Sequence, residues 1–307
     1  MTDDRLVVFV HIPKTAGNTM RSVLHRQYGQ EACFGNRWGP GMPPDPHLIL
    51  TADVPFLTRW YAERIEPGLP WYPEPPLMTA DRFLQLPEER RAQIRAVTGH
   101  MTFGVERYLR QPTACFTLLR SPVDHVLSGY YYSTDDRPPV EDLHRHIAAR
   151  LQGNAQTWIL AGPHSGERPP DDVLLARAIR NLRACAVVGL TERFDETLLL
   201  LARELGWRWP FYLRRNVNRQ RPPKSAIPAE TLRLIEADNA LDLALYDEAQ
   251  RLFEAQVAAF GPHLQRDLER FRTLNSIWQL AHRARQIPRR TVRRLGHRGG
   301  RRVPTHT

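Results

Sequence analysis

LVVFVHIPKTAGNTMRSVL, residues Leu6 to Leu24, is the stretch on which the fold turns. Leu6 to Val10 is an uncharged run of β-branched and aromatic residues, the pattern of a strand buried on both faces of a parallel sheet. Met20, Val23 and Leu24 then recur at helical spacing, so a helix is expected almost at once, with Thr15, Asn18 and Thr19 able to cap or open it. HIPKTAGNT forms the turn between them. Ala16 and Gly17 leave room for a ligand to approach the backbone. Turn amides, the positive end of the helix dipole, the charge of Lys14 and the hydroxyls of Thr15 and Thr19 would all converge on an anion.

Two further segments work outward from this loop. In AVTGHMTFG, Ala96 to Thr98 reads as a short strand and His100 stands just past its end. In an open parallel sheet, ligands bind in the crevice beyond the carboxyl ends of the strands, so His100 and Lys14 are expected to share one edge. In ACFTLLRSPVDHVLSGYYY, Ala114 to Leu119 is another apolar strand and Arg120 ends it. Ser121 and Pro122 open a helix in the favoured cap and first-turn positions, and Ser128 lies two helical turns beyond Arg120. A guanidinium and a hydroxyl at that spacing can meet on one phosphate. CAVVGL, Cys185 to Leu190, reads as a fourth strand, followed by a helix in which Phe194, Leu198, Leu201 and Leu205 face the sheet.

The loop is not a Walker motif, because its lysine precedes the glycine. It resembles instead the 5′-phosphosulfate loop of PAPS-dependent sulfotransferases (PAPS is 3′-phosphoadenosine 5′-phosphosulfate), in the branch of the heparan-sulfate 2-O-sulfotransferases and their bacterial relatives. That loop runs close to HIPKTAGTS, with Asn18 as the one departure. The resemblance implies a P-loop NTPase-like, three-layer α/β fold around a mainly parallel sheet, PAPS as sulfuryl donor, and a hydroxyl acceptor on a glycan. It implies donor contacts from Lys14, Thr15, Ala16, Gly17, Asn18 and Thr19. GHMTFG matches the segment that supplies the catalytic base, here His100, and RSPVDHVLSGYY matches a 3′-phosphate segment, RDPxxxxxSxYY, with Arg120 and Ser128 on its ligands. NAQTWILAG (Asn154 to Gly162) resembles NxQTRxLxG, with Trp158 in place of arginine. NVNRQRPPK corresponds to a loop closing over the nucleotide, where Arg221 or Lys224 touches a phosphate or simply meets solvent.

Composition bounds the rest. With 307 residues, 42% of them hydrophobic, the chain can bury a full core. The expected organisation is one sulfotransferase domain over 1–262 and a helical, Arg-rich extension over 263–307. Asn36 to Met78 holds ten prolines together with Trp38, Trp60, Tyr61, Trp71 and Tyr72, and reads as an insertion over one side of the sheet. Its aromatics either stack on a sugar or anchor the insertion.

The formal net charge is +10, yet nine arginines and no acids lie between Arg283 and Arg302, so without them it falls to +1. That tail suits an anionic surface or a disordered solubilising role equally. Only two lysines, Lys14 and Lys224, stand against 41 arginines, which marks Lys14 as a place where a compact ammonium is needed. Three cysteines without a CxxC suggest neither a disulfide framework nor a zinc site. No apolar run approaches the ~18 residues of a membrane span, and the first residues are acidic without a signal-peptide pattern. The expected location is therefore the cytoplasm, peripheral to a membrane if the tail binds one.

The function expected is O-sulfotransfer without a metal, with His100 and Lys14 catalytic. A P-loop small-molecule kinase is the alternative, and it lacks its GK[ST] and strand-end Asp. A non-catalytic polyanion binder acting through the tail is the other.

Overall fold

The structure, a computed structural model, describes residues 4–29, 31–35, 86–99, 111–131, 153–162, 169–213 and 222–296, with 102–104, 106, 109 and 143 besides. The Pro- and Trp-rich segment 36–78, His100 and Arg221 lie outside the described residues.

Five strands form one sheet: β1 (Leu6–Val10), β2 (Cys33–Gly35), β3 (Ala96–Gly99), β4 (Thr113–Leu119) and β5 (Val187–Leu190), in the order β2-β3-β1-β4-β5. Every pairing is parallel. All of β1, β3 and β5 and nearly all of β4 is buried, as continuous apolar strands covered on both faces must be. Phe9 and Phe116 are register partners on β1 and β4, and their rings stack at 4.7 Å. Burying each contributes about 1.5–3 kcal/mol, so this pair helps to fix the register of the two central strands. Thr117 also sends its hydroxyl to the Val10 carbonyl at 2.9 Å, stitching the same pair.

The described helices are α1 (Gly17–Tyr28), α2 (Glu88–Gln93), α3 (Pro122–Tyr130), α4 (Ala155–Ala161), α5 (Asp171–Arg183), α6 (Phe194–Glu204), α7 (Ala229–Asp238), α8 (Ala240–Phe260) and α9 (Leu264–Gly296). The chain leaves β1 through α1 toward β2 at one edge and leaves β4 toward β5 at the other. The two connections diverge, so a crevice opens beyond the carboxyl ends of β1 and β4, where open α/β sheets bind ligands.

Several expectations are met and several corrected. α6 buries Leu198 and Leu201 as its spacing predicts, and its Thr197 hydroxyl engages Leu190 of β5. β2 is a fifth strand that the sequence does not announce, since it is three residues long and ends in glycine. Cys185 precedes β5 rather than lying in it, with its thiol toward the Asn181 carbonyl at 3.7 Å. The first turns of α9 are core: Leu264, Leu268 and Phe271 are buried, and Arg272 pairs with Asp195 at 3.0 Å. Farther along it, Ile277 and Leu280 are exposed. Among the described residues no helix is long and apolar enough to cross a membrane.

Candidate active site

The loop after β1 is held from behind by its own carbonyls. Thr15 Oγ1 donates to the carbonyl of Ile12 at 2.7 Å, His125 Nε2 to that of Pro13 at 2.8 Å, and Arg120 Nη1 to that of Lys14 at 3.1 Å. Three consecutive carbonyls are thus tied by three side chains from the loop, from α3 and from the end of β4. In a trans peptide the N–H points opposite to the C=O. Tying the Pro13 and Lys14 oxygens therefore turns the amides of Lys14 and Thr15 away from those tethers.

Lys14 and Ala16 both have left-handed backbone conformations, with φ of 67° and 64°. For residues bearing a Cβ that geometry is strained, and the strain is the cost of a turn whose successive amides form an anion-binding concavity. α1 follows directly with no side chain capping its first turn. The expected caps are otherwise engaged: Thr15 on Ile12, and Asn18 Oδ1 accepting from Arg21 at 2.8 Å. An uncapped helix start aimed from a strained turn is suited to an anion. A Cβ at Gly17 would lie 1.6 Å from the ring of His11, so a larger residue there requires that ring to move.

The electrostatics agree. Burial, with the nearby Arg120 guanidinium adding to it, lowers Lys14 from 10.5 to about 8. The two cations repel one another at the sheet edge, and an anion bound between them relieves that repulsion. Thr15 is fully buried and its hydroxyl, expected from sequence to face an anion, is donated to the Ile12 carbonyl. Thr19 is also buried, in the first turn of α1.

Ser128 is half-buried on α3, one turn beyond His125 and therefore on the helix side from which His125 reaches the loop. Lys224, in a single 3₁₀ turn, pairs with Asp124 of α3 at 3.2 Å. That places it beside the helix that carries Ser128. Among the described residues no cluster of three or more His, Cys, Asp or Glu is placed to hold a metal.

His125 is the residue that sequence reasoning passed over. Its only signal was its place four residues after Ser121 in a helix whose other inward residues, Val123, Leu127 and Tyr130, are apolar or aromatic. Its ring is buried, and burial, with Arg120 and Lys14 adding to it against the bond to Pro13, depresses it from 6.5 to about 4. It is therefore neutral, protonated at Nε2, and committed to the loop. A base whose folded pKa is depressed contributes stability above its unfolded pKa and loses it as pH falls through the folded value. Between pH 6.5 and 4 this corresponds to roughly 3 kcal/mol. Asp242, buried and raised to about 6, acts with the opposite sign, since its ionisation destabilises the fold as pH rises from about 4 to 6. Urea unfolding of the wild type and of His125→Gln between pH 7 and 4 separates the two: the variant should lose markedly less stability across that window. Parallel pH profiles would disprove the buried neutral imidazole.

A strained cationic loop at the switch point, with an arginine from the end of the neighbouring strand, has the charge and backbone geometry suited to a phosphate-like anion. The chain is similar to galactose-3-O-sulfotransferases. The model of the family described as galactose-3-O-sulfotransferase matches residues 145–284. Galactose-3-O-sulfotransferase 3 of Bos taurus is 35% identical over 270 residues, covering 83% of this chain and 58% of the relative. The protein of that name from Homo sapiens is 28% identical over 278 residues and that from Mus musculus 27% over 267, with the same coverages. This chain thus spans somewhat over half the length of the curated relatives it matches. The matched family segment takes in α4 through the first part of α9 and begins after Arg120.

Proposed function

We propose that the protein is a PAPS-dependent O-sulfotransferase acting on a hydroxyl of a glycan. The observation that carries this reading is the Lys14 loop joined to Arg120 at the carboxyl ends of two adjacent parallel strands, in a chain similar to galactose-3-O-sulfotransferases. The residues fit the donor: turned amides and Lys14 for the 5′-phosphosulfate, and Arg120 with Ser128 for the 3′-phosphate. When bound, the donor supplies an activated sulfuryl group and leaves with negative charge on its bridging phosphate oxygen. Lys14 and the start of α1 stabilise charge at that oxygen. His100, which follows β3 directly in the chain and lies outside the described residues, takes the proton of the attacking hydroxyl.

Two acceptor chemistries follow from two observations. The relatives' names favour the 3-hydroxyl of galactose, whereas the HIPKTAG loop resembles that of the heparan-sulfate 2-O-sulfotransferases. The more extensive similarity favours galactose. Radiolabelled transfer from PAPS to a β-galactoside and to unsulfated heparosan decides between them.

The donor is tested by thermal shift with 3′,5′-ADP, 5′-AMP, and ATP with magnesium. 3′,5′-ADP should raise Tm by several degrees and the other two by much less. Equal protection by 5′-AMP would sink the assignment of Arg120 and Ser128, and protection by ATP with magnesium alone would favour a kinase.

A further inference from the structure

Arg120 is fastened at its backbone as well as at its guanidinium. Gln156 of α4 accepts from the Arg120 N–H through Oε1 at 3.0 Å and donates from Nε2 to the Arg120 carbonyl at 2.8 Å. β4 has by then passed its last ladder partner, Leu119 opposite Leu190, so one carboxamide replaces a strand and completes the pairing of the next residue. Gln156 is itself fully buried and fixed. Asp242, in the first turn of α8, accepts from the amides of Gln156 at 3.1 Å and Thr157 at 2.7 Å and from the Thr157 hydroxyl at 2.6 Å. In return Asn154, at φ 64°, accepts from the Leu241 and Asp242 amides at 2.8 and 3.1 Å. Each helix start is capped by a side chain from the other, so α4 and α8 lock together. The NAQT motif then has a physical meaning: Asn154 and Thr157 make the lock and Gln156 carries its rigidity to Arg120.

We propose that Gln156 is a positioning residue for nucleotide recognition, holding the Arg120 peptide so that its guanidinium meets the 3′-phosphate while still bracing the Lys14 carbonyl. The inference rests on the donor reading above. A flexible arginine loses side-chain entropy on binding and reads a phosphate bidentately only when its root is fixed. A carboxamide with one donor and one acceptor matches a peptide's two groups, which neither a carboxylate nor an aliphatic chain does.

The test compares nucleotide affinities, with Tm recorded for every variant. The wild type should bind 3′,5′-ADP at least tenfold more tightly than 5′-AMP. Gln156→Met, close in volume and without hydrogen bonds, should weaken 3′,5′-ADP by about tenfold, leave 5′-AMP within about threefold, and raise the KM for PAPS more than it lowers kcat. If Gln156→Met does not fold, Asp242→Asn supplies the second arm, because it loosens α4 while keeping an acceptor, and it should shift the same ratio less. Equal weakening of both nucleotides, or an unchanged ratio, overturns the positioning role. A wild type that does not distinguish the two nucleotides overturns the donor reading instead.

Discussion

Lys14→Ala should cut kcat/KM for PAPS on the order of 10²- to 10³-fold, the usual worth of one preorganised group at a developing oxyanion, while leaving the free protein at least as stable as the wild type. The second half separates this residue from a structural one. Lys14 is held at about 8 by burial and by Arg120. A base depressed in the fold contributes stability above its unfolded pKa of 10.5 and loses it as pH falls through 8, so at neutral pH its charge destabilises the unliganded fold. Removing the ammonium relieves that destabilisation, and the donor-induced thermal shift should disappear with it. Lys14→Arg should recover little. A forked guanidinium cannot place one charge at a single bridging oxygen, and it would have to share the crevice with Arg120, which already spans to the Lys14 carbonyl. The checks are melting temperature with and without 3′,5′-ADP and single-turnover transfer. Full activity in Lys14→Arg would refute the role given to the ammonium.

What could be read from sequence was local. The strand at Leu6–Val10, the turn after it, the strand ending at Arg120 and the Pro-opened helix beyond each announce themselves within twenty residues, because burial on both faces and helical spacing leave a periodic trace. What could not be read joins distant residues. Nothing in SPVDH says that His125 will meet a carbonyl 112 positions earlier, nor does NAQT say that its partner is Asp242. The partner of the Thr15 hydroxyl is hidden from sequence for the same reason. A side chain in an anion loop has two places to spend its proton, and only the geometry shows that the Ile12 carbonyl takes it. Loop chemistry is therefore legible as a set of residue types, whereas the scaffold that aims them is not.

His100→Ala should lower turnover by about 10²- to 10⁴-fold, the range for losing a general base, with donor affinity nearly intact. The structure sharpens this by disposing of a nearby rival. His125 is buried, neutral and spent on the Pro13 carbonyl, so it cannot accept a proton from an acceptor hydroxyl near neutral pH. Among histidines placed by β1, His11 packs its ring against Phe9 at 5.3 Å and fills the space over Gly17, a position that supports the loop. His100 comes directly after β3 in the sequence, and β3 pairs directly with β1, the strand that Lys14 follows. The two histidine variants should fail differently. His125→Gln slackens the loop, weakening 3′,5′-ADP binding while its residual transfer keeps the wild-type pH profile. His100→Ala binds the nucleotide and transfers slowly, and the rise of its rate with pH near the histidine range should vanish, since the group that must lose its proton is gone. A His100→Ala variant impaired only in nucleotide binding, or one retaining the wild-type acid limb, would remove His100 from the chemistry and leave the base to be sought on another element.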